Sequence, residues 1–136
     1  MKVLKIACLG LALASPAGAQ QFTTAAEVRP MLEAIRTRWI AVREYDGQDL
    51  LYFTNLLAWR CGLEEIYYSV NGDAEVRWDG EPCYDDEAVP NAQKDVEKLP
   101  YVGFPLGSVN SVSVRIEYDD GGTDSQDFVR SDILIN

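Results

Sequence analysis

The chain of 136 residues contains no histidine. Its absence excludes Ser–His and Cys–His catalytic pairs, and it removes the commonest side-chain ligand of zinc. Cysteine is scarce, with three residues in all. After the N-terminal segment, no apolar run approaches the roughly 20 residues that a transmembrane helix needs. We therefore expect no cofactor, no metal site and no catalytic residue of the nucleophilic type.

The first 19 residues have the three-part pattern of a secretory signal peptide. Lys2 and Lys5 give a basic start, residues 6–14 are apolar, and residues 17–19 (Ala-Gly-Ala) supply the small side chains of a signal peptidase site. The apolar stretch is too short to span a bilayer. We predict cleavage after Ala19 and export to the periplasm or the exterior of a bacterial cell. The mature domain, residues 20–136, then has no stable membrane insertion.

Basic side chains are in deficit. The chain has 12 of them against 22 acidic ones, and Lys2 and Lys5 leave with the signal peptide. A surface this acidic repels phosphate backbones, so we expect no nucleic-acid partner. Another exported protein, in particular one of basic character, is compatible with this charge. All three Trp, seven Tyr and four Phe lie in the mature part, which indicates one folded domain rather than a disordered acidic tail.

Only Cys61 and Cys83 remain after cleavage. An even cysteine count in an oxidising compartment predicts a disulfide bond. The chain-entropy model gives such a bridge roughly 3 kcal/mol of stabilisation. A catalytic redox pair is the competing interpretation, and the spacing argues against it because such pairs usually read C-x-x-C.

Apolar periodicities and turn signals predict an α+β domain. Thr24 and Glu27 fit a capping box that starts a helix over residues 24–37. Asp46-Gly47 and Asn71-Gly72 are signals for two-residue hairpin turns. The first turn pairs residues 38–45 with residues 48–54.

The second half of the chain adds further strands. A short charged helix is predicted over residues 91–98. Residues 111–118 alternate strictly, residues 123–130 return as an edge strand, and residues 133–135 add a short pairing. The whole predicts an N-terminal helix packed on one antiparallel, six-stranded sheet of successive β-hairpins. A small β-sandwich is the alternative.

The first hairpin has a second face that is also partly apolar, and it needs a cover. Aromatic rings accompanied by arginine are typical of interaction hot spots and of platforms for sugars. The predicted binding patch consists of Trp39, Arg43, Tyr45, Tyr52, Trp59 and Arg60. The competing interpretation places these rings in the core of a small domain.

From these features we predict a non-enzymatic, exported binding or accessory module whose partner is a protein. Clustered acids such as Glu64 and Glu65 keep a carboxylate-dependent hydrolase of cell-wall or other sugars open as an alternative. A further alternative is a calcium or small-ligand binder. It is suggested by Asp119, Asp120 and Asp124, although their order is not that of an EF-hand loop.

Overall fold

The computed structural model describes residues 21–136, so the predicted signal peptide lies outside the described residues. The helices are α1 (Ala25–Ala34), α2 (Thr54–Leu57) and α3 (Arg130–Ile133). The strands are β1 (Ala41–Tyr45), β2 (Gln48–Tyr52), β3 (Leu63–Val70), β4 (Val76–Arg77), β5 (Tyr101–Pro105), β6 (Ser111–Tyr118), β7 (Thr123–Val129) and β8 (Leu134–Ile135). Short 3₁₀ turns cover Arg36–Arg38 and Arg60–Gly62. No helix within residues 21–136 has the length and apolar character to cross a bilayer.

The strands form two sheets of four. The first sheet has the order β5-β2-β1-β8 and the second sheet has the order β4-β3-β6-β7. The pairing of β1 with β8 is parallel, and every other pairing is antiparallel. The predicted α+β content is thus confirmed, whereas the strands divide into two sheets where a single sheet is predicted. The division arises because β3 pairs with β6 while β5 returns to β2.

Both sheets and α1 contribute to one hydrophobic cluster. Its most deeply buried members are Val28, Leu32, Val42, Leu51, Phe53, Leu56, Val109, Val112, Val114 and Ile116. On β6 the alternation of buried and exposed side chains follows the sequence, since Val112, Val114, Ile116 and Tyr118 all point inward. One shared core therefore supports the faces of both sheets.

The first hairpin forms with the predicted register. Asp46 and Gly47 have φ angles of 52° and 74°, which is the backbone of a two-residue turn. Val42 lies opposite Leu51, and Ala41 lies opposite Tyr52. The strands are shorter than predicted at their outer ends, because residues 36–38 form a 3₁₀ turn before β1.

The capping interaction at the start of α1 is present. The Thr24 hydroxyl accepts a hydrogen bond from the Glu27 amide at 3.3 Å, and the Glu27 carboxylate accepts from the amides of Phe22 and Thr23. These bonds satisfy donors that a helix end leaves free. The helix ends at Ala34, three residues earlier than predicted.

The predicted helix at residues 91–98 is wrong, because this segment has only turns. Its backbone groups are held by two buried side chains. Arg60 binds the carbonyls of Asn91 and Ala92, and Glu81 binds the amides of Lys94 and Asp95. Backbone carbonyls and amides that bind side chains in this way are not available for the i to i+4 hydrogen bonds of a helix.

Candidate binding surface

The first sheet has one buried face and one outer face. Val42, Asp49 and Leu51 point into the protein and are fully buried. The strand registers place the alternate residues on the opposite side. This outer face consists of Ala41, Arg43, Tyr45, Gln48, Leu50, Tyr52, Tyr101, Gly103, Pro105 and Ile135. Leu50 is only 5 % exposed and the other nine residues are exposed or half-buried, so this is a four-stranded surface outside the core cluster.

Aromatic rings dominate the outer face. Tyr45 is 55 % exposed, and the Arg43 guanidinium lies 4.6 Å from the centre of its ring. Tyr52 and Tyr101 pack together with their ring centres 5.0 Å apart. Ile135 at the sheet edge is 47 % exposed. Rings held in place by one another expose area that costs little side-chain entropy to bind, which is typical of contact residues.

A groove of about 300 Å³ borders Tyr52, whereas Tyr45 and Tyr101 lie outside its walls. Its walls are Trp39, Ile40, Ala41, Arg43, Tyr52, Thr54, Asn55 and Ile135. The Trp39 ring is fully buried, and its Nε1 donates a hydrogen bond to the Leu32 carbonyl at 2.8 Å. Among residues 21–136, no acidic side chain lines the groove, and Arg43 is the one charged side chain in its walls.

The predicted patch is brought together in part. Arg43, Tyr45 and Tyr52 share the outer face, as the hairpin register implies. Trp39 lies next to them at the groove, but it precedes β1 and belongs to the core. The placement of its ring in the core therefore follows the competing interpretation.

Trp59 lies in a second hollow of about 320 Å³, which shares Asn55 with the groove. Its half-buried ring meets the Phe22 ring edge-on at 4.9 Å between centres. Trp59 therefore flanks the outer face without belonging to it.

Arg60 is not a surface residue, because it is only 7 % exposed. Its guanidinium donates to backbone carbonyls alone, at 2.6–3.1 Å, and these belong to Leu57, Glu81, Pro82, Asn91 and Ala92. Burial lowers the pKa of the Arg60 guanidinium. The role of this side chain is to fix the loop over residues 79–100, which the confirmed Cys61–Cys83 bridge also ties, with 5.0 Å between the two Cα atoms.

Glu81 is the acidic counterpart inside the same loop. It accepts hydrogen bonds from the Tyr84 hydroxyl at 2.6 Å and from the amides of Lys94 and Asp95. Burial on its own would raise the pKa of Glu81, but these bonds outweigh it and the pKa is lowered. The hydrogen bond that the Tyr84 hydroxyl donates to Glu81 also raises the pKa of Tyr84 to about 12.

A second buried carboxylate, Asp49, has no signal in the local sequence. It is fully buried on the inner side of β2, and it accepts from the amides of Gly107 and Val109 and from the Arg130 guanidinium at 2.5 Å. The Arg130 bond lowers the pKa of Asp49 and outweighs the opposing effect of burial. This ion pair joins the first sheet to the segment before β6 and to the end of β7.

Known proteins give no guide to what the outer face binds. No family model, no curated protein and no solved structure matches the chain. What the outer face binds therefore has to follow from its own residues, their exposure and their charge.

The acids near the β6–β7 turn are engaged within the protein. Asp119 accepts from the Ala25 amide at the start of α1, and Asp120 is paired with Arg29 at 2.8 Å. Asp124 is paired with Arg36. Among residues 21–136, no three acidic or cysteine side chains are grouped as a metal ion would require.

The hollow beside the disulfide is the other place where carboxylates gather. It has a volume of about 230 Å³, and Glu64, Glu65, Asp79 and Glu81 are among its lining residues. Glu65 is paired with Arg77 at 3.0 Å, and Glu81 is held as described above. A general acid in sugar hydrolysis needs a raised pKa, whereas the pKa of buried Glu81 is lowered.

Proposed function

We propose that this protein is a non-enzymatic binding module, exported from the cell, that docks another exported protein on the outer face of its first sheet. The observation that carries the proposal is that Tyr45 and Ile135 are exposed on the same face as the Tyr52–Tyr101 pair, on the side of the first sheet that lies outside the core cluster. Exposed apolar and aromatic side chains gathered on one face are typical of interaction sites.

The composition of the outer face favours a protein partner. It combines three tyrosine rings, one arginine and aliphatic groups, and among residues 21–136 Arg43 is the one charged residue in the groove walls. The central parts of protein interfaces are depleted of charge and enriched in aromatic residues and arginine in the same way. A basic partner would gain long-range attraction from the acidic remainder of the chain.

The proposed location and the proposed role support one another. A disulfide such as Cys61–Cys83 persists in oxidising compartments, in agreement with export directed by residues 1–19. A small domain of this kind, once exported, fits an accessory role. We further infer that α1 packs as a layer on the sheets, since Val28 and Leu32 of this helix are fully buried in the shared cluster.

The first test is capture of a partner from the exported fraction with the mature domain, residues 20–136, as bait. The double variant Tyr45→Ser/Tyr101→Ser removes two rings of the outer face. We expect capture of the same partner to fall at least about tenfold, equivalent to about 1.4 kcal/mol. Tyr67→Ser is the matched control, because Tyr67 lies on the outer side of the second sheet.

The same experiment can contradict the proposal. A partner that binds the wild type and the outer-face variant equally well docks elsewhere. Mass spectrometry of the exported protein tests the location, since the expected N-terminus is Gln20. A chain that keeps residues 1–19 in the cytosol would remove the exported role.

A further inference from the structure

The arginine at the groove differs from the other exposed cations of the described chain. Seven Lys and Arg side chains of residues 21–136 have an acidic oxygen within 4.0 Å; they are Arg29, Arg36, Arg77, Lys94, Lys98, Arg115 and Arg130. Within the same residues, Arg43 has no such partner, although the mature chain holds 22 acidic side chains. A free guanidinium in so acidic a chain is a feature to be explained.

Arg38 is the other exposed arginine without a carboxylate within 4.0 Å among residues 21–136. It lines a hollow together with Asp127 and Asp132, so negative charge is close to it. Arg43, in contrast, has neutral neighbours in the groove, namely Tyr52, Asn55 and Ile135. Its guanidinium rests on the Tyr45 ring, 4.6 Å from the ring centre, which leaves its N–H donors free at the edge.

We propose that the groove binds an extended peptide segment of the partner whose Asp or Glu side chain pairs with Arg43 and whose neighbouring apolar or aromatic side chain fills the groove. This inference rests on the proposed function and adds the chemistry of the partner. A planar guanidinium binds a carboxylate through two parallel hydrogen bonds. The groove volume of about 300 Å³, with Trp39, Ile40 and Ala41 in its walls, has room for one large side chain.

The net charge of the chain selects among anionic ligands. A long polyanion, such as an acidic polysaccharide, would bring many charges near a domain with an excess of carboxylates. A peptide with a single carboxylate between apolar residues brings one charge to the one unpaired cation in the groove. The observations therefore favour a peptide over an acidic sugar polymer.

A displayed library of random heptapeptides, selected on the mature domain, tests the proposal. We expect enriched sequences to contain Asp or Glu next to Trp, Phe, Tyr, Leu or Ile. Arg43→Gln should weaken binding of these peptides at least about tenfold. Arg43→Glu should redirect the selection toward Lys or Arg at the same place.

Arg115→Gln is the matched control, because Arg115 also rests on a tyrosine ring but lies on the second sheet. It should leave the selection unchanged. Enriched peptides that lack acidic residues, or that bind the Arg43→Gln variant equally well, would overturn the carboxylate pairing while leaving the docking face intact. Absence of any enriched peptide, combined with Arg43-dependent binding of alginate, would replace the peptide with an acidic polysaccharide.

An absence of both peptide and alginate binding would overturn the inference outright. The proposed function is judged separately, by whether the Tyr45→Ser/Tyr101→Ser variant loses the captured partner. Arg43 and Tyr45 are both exposed, so these substitutions leave the core untouched, and circular dichroism checks that each variant is folded.

Discussion

Two arginines, one on the outer side of each sheet, make the same contact with a tyrosine ring but have different charged neighbours. Arg43 on the first sheet and Arg115 on the second each rest on a tyrosine ring, at 4.6 Å and 4.1 Å from the ring centres. Arg115 is also bound by Glu75 and Glu117, at 2.7 Å and 2.8 Å. The guanidinium on the second sheet is thus neutralised within the chain, whereas the one on the first sheet keeps its donors available.

The surroundings of the two arginines differ in the same sense. The outer side of the second sheet is polar; along β6 and β7 it consists of Ser111, Ser113, Arg115, Glu117, Thr123, Ser125, Asp127 and Val129. Tyr67 of β3 adds one ring there, beside Arg115. The outer face of the first sheet has three tyrosine rings and a groove. Solvated hydroxyl and carboxyl groups need no cover, while apolar rings do. The difference supports the proposal that the first sheet, and not the second, meets the partner.

The largest effect that we predict is on the fold that both faces share. Asp49→Ala leaves the amides of Gly107 and Val109 without their acceptor and removes a buried partner of Arg130. The free energy of unfolding should fall by about 3–5 kcal/mol. Urea unfolding followed by fluorescence and by circular dichroism measures the loss. Because Asp49 joins the two sheets, both signals should change together.

Glu44→Ala is the control for this substitution. Glu44 binds the same Arg130 guanidinium at 2.7 Å, but it is exposed to solvent. Exposed ion pairs contribute little, so its removal should change the unfolding midpoint far less. Equal losses from Asp49→Ala and Glu44→Ala would contradict the importance given to the buried pair. Unfolding of one face before the other would separate the sheets into independent units.

The Asp49–Arg130 pair also shows where sequence analysis reaches its limit. The Asp46-Gly47 turn sets the register of β1 and β2, because a two-residue turn is a local signal. Asp49 and Arg130 are 81 residues apart, and nothing beside either residue indicates the other. The same holds for Arg60, whose acceptors are carbonyls that belong mostly to residues 81–92. An arginine satisfied by distant backbone atoms looks like a surface residue in the sequence.

The second largest effect should come from the disulfide. Cys61→Ser/Cys83→Ser should lower the free energy of unfolding by about 3 kcal/mol, because the bridge restricts the unfolded chain. Thermal unfolding of the variant, and of the reduced wild type as its control, measures the loss. The bridge does not line the groove at Arg43, so the folded variant should keep its affinity for the partner. Lost affinity in a folded variant would place the binding site at the loop instead.

At acidic pH, weakening of the Asp49–Arg130 link should lower the free energy of unfolding by less than removal of the disulfide does. The pKa of Asp49 is lowered in the folded protein, so its contribution is complete above its unfolded pKa of about 4 and is lost as the pH falls through the folded value. Urea midpoints measured from neutral to acidic pH should therefore decline on the acid side. Asp49→Asn should show a shallower decline, and the remainder comes from the other carboxylates whose pKa values are lowered, namely Glu27, Glu75, Glu81, Asp120 and Asp124. Identical profiles would contradict the assignment.

The candidate site could be predicted only where one hairpin builds it. Arg43, Tyr45 and Tyr52 follow from the alternation about the Asp46-Gly47 turn. Tyr101 and Ile135 come from β5 and β8, which pair with the hairpin from distant parts of the chain. Gly103 and Pro105 weaken the strand pattern of β5, so the sequence gives little sign of it. Trp39 is misplaced for another reason: it follows the 3₁₀ turn with a helical backbone (φ −59°, ψ −36°), so the alternation of β1 does not extend to it.

The smallest effects on stability test the comparison of the two arginines most directly. Arg115→Gln removes two exposed ion pairs, so the unfolding midpoint should fall slightly at low salt and the difference should shrink as salt is added. Arg43→Gln removes the contact with the Tyr45 ring but no ion pair within residues 21–136, so the midpoint should change little and the change should depend far less on salt. Partner binding should respond in the opposite order, with loss for Arg43→Gln and none for Arg115→Gln. If Arg43 served only the fold, its substitution would lower the unfolding midpoint and the affinity for the partner together. Loss of binding without a matching loss of stability therefore separates the two roles.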